Sequence, residues 1–149
     1  MNKEITAIKA PKMLLNIVRA KGDMSEIITD ALISYLKTDK VNKSVRYLEQ
    51  RLRGRNLKEE DIKKAVCNAF HVAYDDLSSD HRKKHKVEAR SAAYRIFRNY
   101  LKYSFYNIGI EFDKNHATVL HSYNKFDIYM TCNIFRAKYK SMLCELISC

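Results

Sequence analysis

Small, hydrogen-bonding side chains cluster in the C-terminal third of the chain. Asn115, His116, Ala117, Thr118 and His121 follow one another within two turns of a helix. Amide, imidazole and hydroxyl groups can hydrogen-bond to the edges of DNA bases, and the methyl groups of alanine and threonine can contact thymine. The chemistry that these residue types favour is the reading of bases.

The elements that would present this cluster are two short helices. Phe105, Ile108 and Phe112 recur at spacings of three and four, which predicts one helix with Ser104 as its N-cap. The polar break Asp113-Lys114-Asn115 follows.

A second helix is predicted after this break. Asn115 is its expected N-cap, and Val119, Leu120 and Phe126 are expected on its inner side. Two helices joined by a three-residue turn predict a helix-turn-helix, whose second helix enters the major groove.

The stretch KNHATVLHSYNKF resembles the signature of the C-terminal DNA-binding domain of the bacterial replication initiator DnaA, which reads approximately RDHTTVLHACRKI. The matching positions are His116, Thr118, Val119, Leu120, His121 and Lys125. From Leu57 onward, the predicted order of elements also resembles that domain. The resemblance implies an all-α helical bundle that contains a DnaA C-terminal-like or Trp-repressor-like helix-turn-helix, preceded by a small helical N-terminal module.

The same resemblance implies a set of DNA contacts. In the family, a basic loop and the start of the following long helix supply arginines to the minor groove and to phosphates. Here they correspond to Arg82 and Arg90. The residues predicted to contact DNA are Arg82, Lys83, Lys84, Lys86, Arg90, Lys114, Asn115, His116, Ala117, Thr118, His121 and Lys125.

Three departures from the family pattern bear on the turn and the second helix. Asp113 alone stands where the family has two glycines, Asn115 replaces the aspartate at the cap, and Ala117 replaces the first threonine. An asparagine amide favours adenine over cytosine. We therefore expect a preferred box that differs from the standard DnaA box.

The composition favours a polyanionic partner. The 149-residue chain has 28 basic and 17 acidic residues and a formal net charge of +11. Such an excess predicts binding to nucleic acid first and to an anionic membrane surface second. The sequence contains no long apolar run or apolar leader, so we expect neither a membrane span nor a signal peptide.

Neither catalysis nor a bound metal or cofactor is expected. No GxxxxGK[ST] phosphate-binding motif occurs, and no nucleophile–base arrangement is recognisable. Cys67, Cys132, Cys144 and Cys149 form no CxxC pair, so reduced thiols are predicted. The expectation is a protein that is not an enzyme and that lacks the ATPase module of an initiator.

The first 55 residues are predicted to form a helical module with a boundary near Gly54. Its helices are expected at about 11–20, 23–37 and 41–53, with Ile28 and Leu32 among the inward residues. This module supports the rest of the chain or forms a homodimer. Residues 56–149 form the DNA-binding module, whose first helix is expected to start with a capping box of Asn56 and Glu59.

The sequence therefore predicts specific binding of double-stranded DNA in the cytoplasm, at the nucleoid. A free-standing copy of such a domain suits a phage or a mobile element. Two alternatives remain open: a structural protein of a nucleoprotein particle, located inside a virion, that uses the fold for assembly, and a nonspecific nucleic-acid coater.

Overall fold

The computed structural model describes residues 24–149, and this part of the chain contains helices and no strands. The predicted all-α fold is therefore confirmed. The elements are α1 (Met24–Leu52), α2 (Glu59–Phe70), a short 3-10 helix (Tyr74–Leu77), α3 (Lys84–Asn99), α4 (Phe105–Glu111), α5 (His116–Tyr129) and α6 (Asn133–Ser148).

Contacts between Cα atoms divide the chain into two compact units, Met1–Ser44 and Val45–Cys149. The larger unit begins earlier than the predicted module boundary at residue 55 because Val45 and Leu52 are buried in its core. The predicted division of roles between residues 1–55 and 56–149 stays a prediction.

Helix α1 differs from the sequence prediction. The predicted break at Thr38-Asp39 is wrong, because a single helix of 29 residues runs through it. No glycine or proline interrupts this stretch, and an ion pair between Lys43 and Asp39 (2.9 Å) spans one turn of the helix. Ile28 and Leu32, expected to point inward, are 48% and 49% exposed. The helix predicted at 11–20 lies outside the described residues.

The core of the larger unit is rich in aromatic rings. Helix α3 packs against α2, α4 and α5, and α6 packs against α2. Phe112 lies edge-on to Tyr94 and Phe97, with centroids 5.1 and 5.0 Å apart. Phe126 of α5 makes similar contacts with Phe135 and Tyr139 of α6, at 5.5 and 4.9 Å. Aromatic packing therefore holds the turn and the second helix of the helix-turn-helix against the bundle.

Two further sequence predictions about local structure are wrong. The capping box of Asn56 and Glu59 does not form, because α2 begins after Lys58, which makes no side-chain capping bond. Leu120 was expected to be buried but is 40% exposed. It directly follows the buried Val119, and a step of one residue turns a helical side chain by about 100°.

Candidate nucleic-acid interface

The start of α5 presents the predicted base-reading side chains to solvent. Asn115 is the N-cap, as predicted, and its Oδ1 accepts a hydrogen bond from the backbone N–H of Ala117 (2.8 Å). The following residues are exposed because Val119 and Phe126 direct the opposite side of the helix into the core. We call the exposed group the reading surface; it comprises Asn115, His116, Ala117, Thr118 and His121. Lys125 is also exposed and follows His121 by one helical turn.

A crowded turn determines how α5 leaves α4. Ser104 caps α4, as predicted, by accepting a hydrogen bond from the backbone N–H of Asn107 (3.1 Å). Asp113 adopts a left-handed conformation with φ of 51°, which aspartate tolerates better than most residues. The backbone N–H of Lys114 donates to the carbonyl of Gly109 (2.7 Å). A Cβ atom at Gly109 would lie 2.4 Å from the carbonyl oxygen of Lys114, so only glycine fits there.

A basic loop lies between the 3-10 helix and α3. We define the basic loop as residues 78–83, and its exposed cations are continued by Lys84 at the start of α3. Arg82, Lys83 and Lys84 all have exposed side chains. Lys84 approaches Glu88 at 3.9 Å while its own side chain stays 82% exposed, so this weak pairing leaves its charge accessible.

Arg90 of α3 is hydrogen-bonded to the backbone in and just before the basic loop. Its side chain is buried, and its guanidinium donates three hydrogen bonds to backbone carbonyl oxygens. The acceptors are Asp76 (3.1 Å), Ser79 (2.8 Å) and His81 (2.6 Å). The planar fork of an arginine suits such a divergent set of acceptors. Arg90 therefore sets the path of the loop.

Lys86 forms a second anchor, in an ion pair with Asp76. Asp76 also accepts a hydrogen bond from the backbone N–H of Ala73 (3.1 Å). The hydrogen bond from Lys86, together with the bond from Ala73, holds the pKa of the Asp76 carboxyl below its usual value. These contacts fix the 3-10 helix on α3, directly before the basic loop.

Lys114 links the basic loop to the helix-turn-helix. Its Nζ donates to the Asp80 carboxylate and to the Ser78 carbonyl, both at 2.7 Å. The hydrogen bond from Lys114 lowers the pKa of Asp80. Lys114 immediately precedes the N-cap of α5, so this contact places the basic loop beside the start of the reading surface.

The twelve predicted contact residues thus fall into two groups. Nine are exposed: Arg82, Lys83, Lys84, Asn115, His116, Ala117, Thr118, His121 and Lys125. Lys86, Arg90 and Lys114 instead bind other parts of the protein. These three cations have carboxylates or carbonyl oxygens within reach, which the sequence alone does not reveal. Direct DNA contact by any of the twelve stays a prediction.

Sequence reasoning missed the residues that position this surface. Asp80 and Gly109 contact no base or phosphate in the prediction, yet both determine where Lys114 lies. A glycine inside a helical pattern signals close backbone approach, so Gly109 was detectable. The role of Asp80 could not be detected, because its partner Lys114 is 34 residues away in the chain.

The described residues contain no group of three or more His, Cys, Asp or Glu side chains arranged to hold a metal ion. The four cysteines are free thiols. Among the described helices, none has the length and apolar character needed to cross a membrane.

Comparisons with known proteins find a similarity over part of the chain. Residues 59–126 match the family model described as "Bacterial dnaA protein helix-turn-helix". The chromosomal replication initiator protein DnaA of Pseudothermotoga lettingae is 28% identical over 114 residues, which cover 75% of this chain and 26% of the relative. The DnaA of Flavobacterium psychrophilum is 39% identical over 71 residues, or 47% of this chain and 15% of the relative.

The chain spans only a minor part of these relatives. For the DnaA of Caldanaerobacter subterraneus subsp. tengcongensis, 28% identity extends over 82% of this chain but 28% of the relative. No solved structure matches the chain. The matched segment contains α2 to most of α5, with the basic loop and the reading surface inside it. Residues 59–126 are therefore similar to the helix-turn-helix of the bacterial DnaA protein.

Proposed function

We propose that this chain binds a specific double-stranded DNA site, with the reading surface in the major groove and the basic loop on the adjacent phosphates or in the minor groove. The observation that carries the proposal is the contact of Lys114 with Asp80 and Ser78. It keeps the basic loop beside the start of α5, so one duplex can meet both.

The two parts have different tasks. Arg82, Lys83 and Lys84 carry exposed charge, and phosphate contacts of this kind supply most of the affinity and its dependence on salt. His116 and Thr118 offer exposed hydrogen-bonding groups that can discriminate between bases. Affinity and specificity are therefore assigned to separate residues.

The three internally bound cations serve as anchors in this proposal. Lys86, Arg90 and Lys114 hold the loop by bonds to Asp76, Asp80 and backbone carbonyls. A loop fixed before binding loses less conformational entropy when DNA arrives. Their positive charge still adds to the potential that attracts a duplex.

The departures from the DnaA signature support a different target site. Asn115 presents amide donors as well as an acceptor, and Ala117 keeps a methyl group but no hydroxyl. The proposed preference is for adenine opposite Asn115 and for thymine beside Ala117. Binding to DNA assigns the protein to the nucleoid or, for a phage-encoded particle component, to the virion.

The test compares two paired variants on a duplex selected from a random pool. Changing His116→Ala and Thr118→Ala should reduce the preference for the selected duplex by about 1–3 kcal/mol per lost contact, because base contacts disappear. Changing Lys83→Ala and Lys84→Ala should weaken all duplexes alike and reduce the slope of log affinity against log salt by about two. Fluorescence anisotropy between about 0.05 and 0.2 M salt measures both effects.

The matched control is Lys64→Ala with Lys140→Ala, which removes two exposed lysines from α2 and α6. We expect it to change neither the sequence preference nor the competition between duplexes. A wild-type preference of about 10³ or more over random DNA supports the proposal. Equal affinity for all duplexes identifies a nonspecific coater instead, and absence of binding favours an assembly protein.

A further inference from the structure

A second basic region lies away from the basic loop. An open cavity of about 900 Å³ lies between the last turn of α1, the end of α3 and the middle of α5, entirely within the unit Val45–Cys149. The charged residues that line it are Glu49, Arg53, Arg55, Arg95, Arg98 and Lys102. Five cations thus face a single carboxylate.

The deeper cations are held by aromatic rings. The Arg95 guanidinium lies over the rings of Tyr123 and Phe126, at 5.1 and 4.8 Å from their centroids. Arg95 also approaches Asp127 at 3.8 Å, but its buried Nε–H has no hydrogen-bond partner among the described residues. Arg98 lies 4.7 Å from the ring centroid of Phe105 and donates a hydrogen bond to the backbone carbonyl of Tyr103 (2.9 Å). Stacking of this kind fixes a guanidinium without neutralising it.

The outer cations are exposed. Among the side chains that the structure describes, no carboxylate forms an ion pair with Arg53, Arg55 or Lys102. Glu49 cannot serve all of them, because its Oε1 accepts a hydrogen bond from the hydroxyl of Tyr139 (2.9 Å). Five cations around a single lining carboxylate repel one another, so an anionic ligand would relieve the repulsion.

The cavity lies at the opposite end of α3 from the basic loop. Arg98, which lines the cavity, follows Lys84 by fourteen residues, or about 21 Å along the helix axis. A duplex that lies across the basic loop and the start of α5 therefore leaves room for a second anionic ligand at the cavity.

We propose that this cavity binds the phosphate backbone of a second DNA segment, so that one molecule holds two duplexes together. The inference rests on the proposed function, which assigns the first duplex to the reading surface. The recessed position of Arg95 and Arg98 fits a phosphate chain entering a concavity better than it fits a flat bilayer. Leu52, an apolar residue of the lining, is only 1% exposed and offers nothing for insertion into lipid.

The test is a two-duplex capture experiment with the full chain. One duplex carries the selected site and is immobilised; the second, of unrelated sequence, is fluorescent and free in solution at about 0.1 M salt. Retention of the protein on the first duplex reports the reading surface. Fluorescence captured with the protein reports the cavity, so failure of either site is recognised separately.

The diagnostic variant is Arg53→Glu with Lys102→Glu. Because two phosphate contacts become repulsive, we expect capture of the second duplex to fall about tenfold or more, while retention on the first duplex changes little. The control Lys64→Glu with Lys140→Glu makes the same change in net charge at exposed sites on α2 and α6. It should leave capture close to the wild-type level.

Several outcomes overturn the proposal. Wild-type protein that is retained but captures no second duplex excludes a second site. Equal capture by the diagnostic and control variants assigns bridging to another surface, such as a dimer contact. Loss of retention in the diagnostic variant assigns these cations to the first duplex. Binding to anionic phosphatidylglycerol vesicles that depends on Arg53 and Lys102, with duplex capture unchanged, identifies a membrane site instead.

Discussion

The two basic regions of this domain, the basic loop and the cavity, are held in place by different kinds of contact. We call these contacts the support of each region. Beneath the basic loop, Lys86, Arg90 and Lys114 are held by carboxylates and backbone carbonyls. Beneath the cavity, Arg95 lies over aromatic rings, and Arg98 combines a ring contact with a hydrogen bond to the backbone carbonyl of Tyr103. A hydrogen-bonded support fixes the direction of a loop, whereas a stacked support keeps charge available in a concavity. The difference suits a surface that needs register on one side and a surface that needs only charge on the other.

Replacing the central arginine of each support should give the largest contrast. Arg90→Lys removes the fork that serves three carbonyls, and we expect it to lower the free energy of unfolding by about 2–4 kcal/mol. Arg95→Lys keeps a cation over the rings of Tyr123 and Phe126, so its cost should be about 1 kcal/mol or less. Urea unfolding of both variants measures the difference. Equal losses would contradict the distinction between the two supports.

A smaller and opposite pair of effects is expected from two buried tyrosines. The hydroxyl of Tyr94, beneath the turn of the helix-turn-helix, has no partner among the described residues, and burial raises its pKa to about 12. Tyr94→Phe should therefore stabilise the protein by about 1 kcal/mol. Tyr139→Phe removes the bond to Glu49 at the cavity and should cost about 1.5–3 kcal/mol.

Thermal unfolding followed by circular dichroism measures the two tyrosine variants side by side. Their opposite signs are the informative result, because both changes remove one hydroxyl from a buried ring. A loss of stability in Tyr94→Phe would mean that this hydroxyl makes a bond in solution.

The smallest effect is a dependence on pH confined to the basic loop. The pKa values of Asp76 and Asp80 lie below their usual value of 3.8 because Lys86 and Lys114 bind the ionised carboxylates. A group whose pKa is lower in the folded state stabilises fully above its unfolded value, and this contribution is lost as the pH falls through the folded value. The loop should therefore loosen only below a pH of about 4.

Amide hydrogen exchange of residues 78–83, measured from pH 5 to below a pH of about 4, checks this expectation. The rates are corrected for the intrinsic pH dependence of exchange. The variant Asp76→Asn with Asp80→Asn should show a loop that is already loose at pH 5 and unchanged below it. Arginine stacking at the cavity does not titrate in this range, so residues around Arg95 serve as the internal reference.

Local signals in the sequence predicted much of the domain. Ser104 and Asn115 were identified as helix caps because a cap acts within three residues of itself. The burial of Phe112 and Val119 followed from helical spacing. The exposure of Leu120 could not be predicted in this way, because an apolar residue at the edge of the apolar face of a helix can be either buried or exposed.

Contacts between distant segments could not be predicted in the same way. Arg90 was expected to contact DNA in the minor groove or at phosphate, and its internal acceptors lie on a segment whose path depends on the folded chain. The cavity brings Arg53 together with Arg98 and Lys102, which are distant in the sequence. The internal partners of these charged residues could therefore not be predicted, and their contacts with DNA stay a prediction.

Gly109 has a consequence for how the target site of this domain can change. Since no side chain fits between α4 and the carbonyl of Lys114, the angle at which α5 leaves the turn cannot be adjusted by small substitutions at this point. New DNA preferences in descendants of this chain must therefore arise by exchange of side chains along α5, with the docking orientation inherited unchanged.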